Sequence, residues 1–301
     1  MEIPSAFRAG YAAIIGRPNA GKSTLMNRLL NLKLSIVSKR PQTTRQRVMG
    51  ILNEPGCQII FLDTPGLIRP KYALQTAMMK ITGAVIQSAD VILYIADIAA
   101  EGEVEFIRSY AKETLTDLPA AKIMILNKID LIPKPDLLPI IQEIHQWNIF
   151  KETVPVSALK GDGIERIKNV LRNYMPLNAP FYPPEQITEQ PERFFVAELI
   201  REKIFERYSD EIPYATEVLI DEFSERPGRK DYIRAVILVE RDSQKKILIG
   251  EKGQALKKVG ASARKDIETF LDRPVFIELW VKVREDWRKD KTYLSRIGYK
   301  L

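Results

Sequence analysis

The chain has 301 residues, 45% of them hydrophobic and 28% charged, and carries a formal net charge of +7, which excludes a disordered chain and leaves room for two cores. One cysteine, Cys57, and one histidine, His145, exclude an intramolecular disulfide and supply no ligand set for structural zinc. No apolar run approaches the roughly 20 residues that cross a bilayer, and no signal-peptide pattern opens the chain, so a cytoplasmic protein without a transmembrane segment is expected.

The first part alternates short apolar runs with amphipathic stretches. Runs at 11–15, 59–62, 91–95, 123–126 and 154–156 read as strands, with helical patterns between them, as at 22–31 and 163–174. This alternation predicts an α/β domain with a mostly parallel sheet and helices on both faces. A further strand at 48–52 is expected to pair with 59–62 across the turn Glu54-Pro55-Gly56. Five prolines, at 176, 180, 183, 184 and 191, then forbid helix and read as an extended linker. The expected division is therefore a domain over 1–176, a linker over 177–192 and a second domain over 193–301. That second part reads as helix 194–208, strands 216–223 and 232–239, a helix 243–249 broken at Gly250, a longer helix to 271, and a strand 275–283. It is a smaller α+β arrangement. Residues 241–301 hold 16 basic against 9 acidic side chains, which suits a phosphate-bearing partner or, equally, a solvated helical face.

The sharpest motif is Gly16-Arg17-Pro18-Asn19-Ala20-Gly21-Lys22-Ser23, followed by Thr24. It follows a predicted strand and opens a helix, as a phosphate-binding loop does. Glycines let backbone N–H groups turn around an anion, Lys22 supplies charge to the outer phosphates, and the Ser23 hydroxyl can ligate Mg2+. Asp63-Thr64-Pro65-Gly66 ends the strand at 59–62. Its carboxylate can reach Mg2+, and the Gly66 N–H can sense a γ-phosphate. Asn127-Lys128-Ile129-Asp130 ends the strand at 123–126. There the Asp130 carboxylate can accept both N–H groups of guanine's pyrimidine edge, a donor pair that adenine lacks, and the Lys128 stem can lie along the base. Ser157-Ala158-Leu159 follows the last strand, where the Ala158 N–H can meet the guanine oxygen. These strings, in order and each after a strand, point to GTP and GDP with Mg2+.

The whole chain resembles the Era family of GTPases: a P-loop GTPase domain followed by a type II KH domain. The resemblance implies that Pro41-Gln42-Thr43-Thr44-Arg45 is the effector loop, with Thr44 completing the metal set of Ser23 and Asp63. The glutamine that orients water in Ras is replaced by Leu67, so slow hydrolysis is implied, with Asn19, Lys22, Thr44 and Gly66 as the catalytic set. Asn19 is placed to coordinate K+, or merely to stabilise the loop.

In the second domain, Ile249-Gly250-Glu251-Lys252-Gly253 matches the G-x-x-G loop of KH domains, which clamps single-stranded nucleotides. Lys257 and Lys258, with Arg264 and Lys265, lie on the following helix. Ile247, Leu248, Ile249, Leu256 and Val259 are expected to form a groove for bases. The segment from Trp287 to Tyr293 interleaves aromatic and basic residues, either to stack bases or to pin a short helix. The resemblance implies the 3′ region of 16S ribosomal RNA as partner, a role in assembly of the small ribosomal subunit, weak peripheral contact with a membrane, and a monomer. Two other readings stay open: an RNA-binding scaffold with negligible turnover, and a related GTPase acting on tRNA.

Overall fold

The computed structural model describes residues 7–299. They form two compact units.

The first unit is built on a six-stranded sheet in the order β2-β3-β1-β4-β5-β6. The strands are β1 (Arg8–Ile15), β2 (Val48–Glu54), β3 (Cys57–Asp63), β4 (Val91–Asp97), β5 (Ala121–Asn127) and β6 (Glu152–Pro155). Only β2 is antiparallel, pairing with β3 from Val48 opposite Asp63 to Glu54 opposite Cys57. Between the strands run α1 (Lys22–Leu30), α2 (Ala73–Ser88), α3 (Glu103–Tyr110) and α4 (Lys134–Gln146), and α5 (Ile164–Tyr174) follows β6. Every residue of β3 is buried, as expected of a strand covered by helices on both faces. Because β1 lies between β3 and β4, the sheet order reverses at β1, and the crevice at its C-terminal end is where such sheets bind ligands.

The proline-rich segment is extended, as read, but it is not free. Gln58 accepts the backbone N–H groups of Phe181 and Tyr182 at 2.7 and 3.0 Å. The Ile51 N–H donates to the Ile187 carbonyl at 2.9 Å, and the Thr188 hydroxyl to the Met49 carbonyl at 2.7 Å. The segment thus lies along the edge strand β2 and satisfies polar groups that an edge would expose. The first unit accordingly continues to Glu189.

The second unit contains α6 (Glu192–Arg207), α7 (Ile212–Ala215), β7 (Glu217–Ser224), β8 (Asp231–Val239), α8 (Asp242–Ile249), α9 (Gln254–Leu271), β9 (Val275–Val283) and α10 (Lys291–Arg296). Its sheet has the order β7-β8-β9, antiparallel then parallel. One core joins Val196, Ile200 and Ile204 of α6 to Ile233, Ile237, Val259, Ile267 and Val281. Two short pieces from earlier in the chain, Ile36–Thr43 and Pro70–Ala77, also belong to this unit. Linear reading assigns both to the first domain.

Candidate functional site

The phosphate loop turns directly out of β1. Gly16 has φ 153°, and a Cβ there would lie 2.1 Å from the Ile95 carbonyl oxygen, so no other residue fits. Lys22, the first residue of α1, is buried, and its Nζ donates to the Gly16 and Arg17 carbonyls at 3.1 and 2.9 Å. Burial pulls its ammonium down to about 8, against the opposing pull of Asp63 and Glu103. A phosphate chain set among the loop N–H groups would give that charge a further anionic partner.

Three oxygens converge beside the loop. The Ser23 hydroxyl donates to Asp63 Oδ2 at 2.7 Å and lies 3.0 Å from the Thr44 hydroxyl. Asp63 is wholly buried, and its other oxygen, Oδ1, has no protein partner. Burial pushes the Asp63 carboxyl up, while Lys22 works against it. Two hydroxyls and a buried carboxylate with an unpaired oxygen form the hard-oxygen donor set that suits Mg2+. The expected ligands Ser23, Thr44 and Asp63 are therefore together. Thr43 turns away and donates its hydroxyl to the Arg40 carbonyl at 2.8 Å.

The chain after Asp63 closes on the loop. The Thr64 hydroxyl donates to the Ile14 carbonyl at 2.8 Å. A Cβ on Gly66 would sit 2.8 Å from the Pro18 nitrogen, so Gly66 presses against the phosphate loop. The Leu67 N–H donates to the Gly16 carbonyl at 3.0 Å, and its side chain is in the core. That position can orient no water.

The residues expected to recognise the base are tied by Asn127. Its Nδ2 donates to the Ala20 carbonyl at 2.7 Å, and its Oδ1 accepts the Ala158 N–H at 2.9 Å. The Ala158 N–H, expected to face the guanine oxygen, is thus already committed to a buried amide that needs it. Lys128, with φ 66°, pairs its ammonium with Asp97 at the end of β4. A hydrogen bond from Ser157, and behind it the charges of Lys160 and Lys128, hold the Asp130 carboxyl below its ordinary value. An ionised carboxylate at that edge is what paired N–H donors of guanine require. Leu159 is 70% exposed, but its carbonyl and that of Ala158 accept from Arg28 of α1 at 2.6 and 3.2 Å.

Several contributors went unread in the sequence. Arg28 and Asp97 are two. Glu103 is a third: it is buried at the start of α3, pairs with Arg17 at 3.0 Å and is pushed up by burial. Arg17 also lies 4.8 Å from the Phe106 ring centroid. The only available signal was Gly102 before an acidic first turn, common to many helices.

In the second unit, Gly250 stops α8 with φ 71° and ψ −179°, and a Cβ there would lie 2.5 Å from the Ala255 Cβ. Glu251, Lys252 and Gly253 form one tight turn, and Gly253 caps α9 with no side-chain partner for its N–H groups. The first N–H groups of an 18-residue helix therefore face outward beside exposed Lys252, Lys257 and Lys258. The expected base groove is corrected in part. Leu248 and Val259 lie in the core, because α8 and α9 need them to seal the unit, whereas Ile247 is exposed and Ile249 and Leu256 are partly so. The stacking reading of Trp287 fails: it is fully buried, and its Nε1 donates to the Ala215 carbonyl at 2.9 Å. It pins the segment before α10, the second of the two readings.

These features recur in known proteins. A family model described as 50S ribosome-binding GTPase matches residues 11–128, and a KH domain model matches residues 211–288. GTPase Era of Geotalea uraniireducens is 45% identical over 293 residues, 97% of this chain and 98% of that protein. GTPase Era of Geobacter metallireducens is 43% identical over 297 residues, again 97% and 98%. The crystal structure of an Aquifex aeolicus Era variant bound to GDP and AlF4− superposes with a TM-score of 0.91 at 40% identity, covering 98% of this chain and 100% of that one. Era in complex with MgGDPNP and nucleotides 1506–1542 of 16S ribosomal RNA gives 0.93 at 41% identity, with the same coverage. With likeness running over nearly the whole of the chain, it belongs to the GTPase Era family.

Proposed function

We propose that this protein hydrolyses GTP as a switch and binds the 3′ region of 16S ribosomal RNA through its KH unit, in assembly of the small ribosomal subunit. The single observation that carries the nucleotide half is the meeting of Ser23, Thr44 and Asp63, with Asp63 Oδ1 buried and unpaired. Those residues would hold Mg2+, which supplies charge neutralisation of the β- and γ-phosphates when bound.

The chain's own residues do the rest. The loop from Gly16 to Ser23 orients the phosphates, and Lys22 regains a full charge against them. Asp130 selects guanine, because adenine would leave its carboxylate without the paired donors. Leu67 lies in the core, so hydrolysis rests on positioning and on charge at the transferring phosphoryl group, and it is slow. Asn19, held at φ 64° within the loop, is the residue to coordinate K+ there, and K+ in place of Na+ would then speed turnover.

The RNA half rests on the Gly250–Gly253 turn, the outward N-terminus of α9 and its lysines, and on the RNA bound by the related Era. We place the protein in the cytoplasm as a monomer, with any membrane contact peripheral. Among the described residues no helix is long and apolar enough to cross a membrane.

Calorimetry with GTP and ATP, followed by phosphate release with and without a fragment of the 16S 3′ end, tests this reading. GTP binding, exclusion of ATP and slow release are expected. Equal binding of the two nucleotides would refute it.

A further inference from the structure

One buried carboxylate of the first unit has no part in metal or base recognition. Glu103, at the start of α3, is 2% exposed, and burial pushes its carboxyl up. Its Oε2 pairs with Arg17 at 3.0 Å, but its Oε1 is buried with no protein partner. The Tyr94 hydroxyl of β4 is likewise buried and unpartnered, and the charge of Glu103 adds to the burial that keeps it protonated.

As a contribution to stability this arrangement is poor. A half-satisfied buried carboxylate costs more to desolvate than an apolar side chain of similar size. Local rules broken in this way gather at functional sites. The function of Glu103 therefore lies in what it holds.

What it holds is the second residue of the phosphate loop. Glu103 and Phe106, one turn apart on α3, take the Arg17 guanidinium between them, with the Phe106 ring centroid 4.8 Å away. The carbonyl of the same Arg17 serves the inside of the loop. It accepts the Ala20 N–H at 3.3 Å and the Lys22 Nζ at 2.9 Å. The ion pair on the outside thus fixes the peptide on the inside. Such an anchor is needed because the turn is bounded by Gly16 and Gly21, at φ 153° and 103°, and neither has a side chain to restrain it. A loop without the anchor samples more paths, and fewer of them turn its N–H groups toward one phosphate.

We infer that Glu103 is a positioning residue for the phosphate site: with Phe106 it anchors the Arg17 side chain and so sets the path of the loop that receives the nucleotide phosphates. The inference rests on the GTPase reading above and deepens it by giving the first turn of α3 a share in that site. Glu103 acts only through Arg17. Its effect falls on the loop itself, which serves GDP and GTP alike.

The test uses the full chain and the pair variant R17M/E103L. This change removes both charges together, leaves the net charge as it was and strands no buried ion. F106L is the second variant and removes only the ring beside the guanidinium. Affinities for GDP and GTP are measured by calorimetry in Mg2+, with thermal unfolding recorded alongside and phosphorus NMR spectra taken at saturating GDP. In R17M/E103L both nucleotides are expected to bind about tenfold more weakly, through loss of a charge-assisted anchor. Its Tm should be no lower than that of wild type, since an apolar pair replaces a costly buried ion. The resonance of the bound β-phosphate should move, a signature that a role in stability alone would not give. F106L should weaken both nucleotides by about threefold. Affinities within about twofold of wild type in R17M/E103L, a loss of affinity explained by a lowered Tm, or an unmoved β-phosphate resonance would overturn the inference while leaving the GTPase reading intact. A wild-type chain that binds no guanine nucleotide would instead overturn that reading, and this inference with it.

Discussion

Replacement of Asn127 by alanine tests how the nucleotide loops are held. This side chain is 3% exposed and joins loops that follow three different strands. It donates to the Ala20 carbonyl at 2.7 Å and accepts the Ala158 N–H at 2.9 Å. Deletion removes two hydrogen bonds of about 1 kcal/mol net each, and strands a buried carbonyl and N–H at about 1–3 kcal/mol apiece. Ala20 and Ala158 are essentially inaccessible, so water can rescue neither without a local opening. A destabilisation of about 3 kcal/mol follows once partial relaxation is allowed. For a unit of this size that lowers Tm by about 6–12 °C. Thermal unfolding followed by circular dichroism, with and without GDP, measures it. The N127D variant separates the two bonds. Its Oδ1 still accepts from Ala158, but its second oxygen replaces the amide that faced the Ala20 carbonyl at 2.7 Å. It should therefore do no better than alanine at neutral pH. A Tm within about 2 °C of wild type for either variant would refute the argument, since that corresponds to under about 1 kcal/mol.

Three other outcomes are expected. G250V should weaken binding of a 16S 3′-end fragment by about tenfold or more while leaving GTP affinity unchanged, because φ 71° with ψ −179° is open only to glycine; a filter-binding titration checks it. Reversing Lys257 and Lys258 to glutamate should weaken RNA binding and flatten its dependence on the logarithm of salt concentration by about 0.7 for each phosphate no longer neutralised. Asp231 is opposed by its burial but held below its ordinary value by the Arg226 N–H and Arg273. Its contribution is therefore present in full above the unfolded carboxylate value of about 3.9 and lost as pH falls through the lower folded value. Denaturant unfolding should show wild type more stable than D231N at pH 7, with the gap closing only below about pH 4.

The nucleotide site was legible because its chemistry is written in contiguous strings. Gly16 to Ser23 must be one loop, and Asp63 and Asp130 each sit where a predicted strand ends, so topology alone brings them together. The parallel sheet was legible for the same reason: runs such as that ending at Leu126 are apolar on both faces. What escaped notice depends on residues distant in sequence. Arg28 meets Ala158, 130 residues away, and Gln58 meets Phe181, 123 residues away. No local pattern encodes either. The base groove was misread for a different reason. An apolar residue near a G-x-x-G turn serves either RNA or the core, and Leu248 and Val259 serve the core together with Ala263, Ile267 and Leu271 of α9.

The buried charge on α6 shows where periodicity fails. Amphipathic reading assumes that a charged face is a wet face. Here Arg201, Glu202 and Lys203 follow one another and all are buried, so the helix presents apolar side chains on one side and ionic ones on another. Apolar side chains in their place would avoid the cost of desolvating ions but would leave the Thr43 carbonyl and the Val37 N–H without partners, at about 1–3 kcal/mol each. Arg201 also has the Glu198 carboxylate, and Glu202 has Lys203 at 3.6 Å, so each buried charge is compensated within the helix itself.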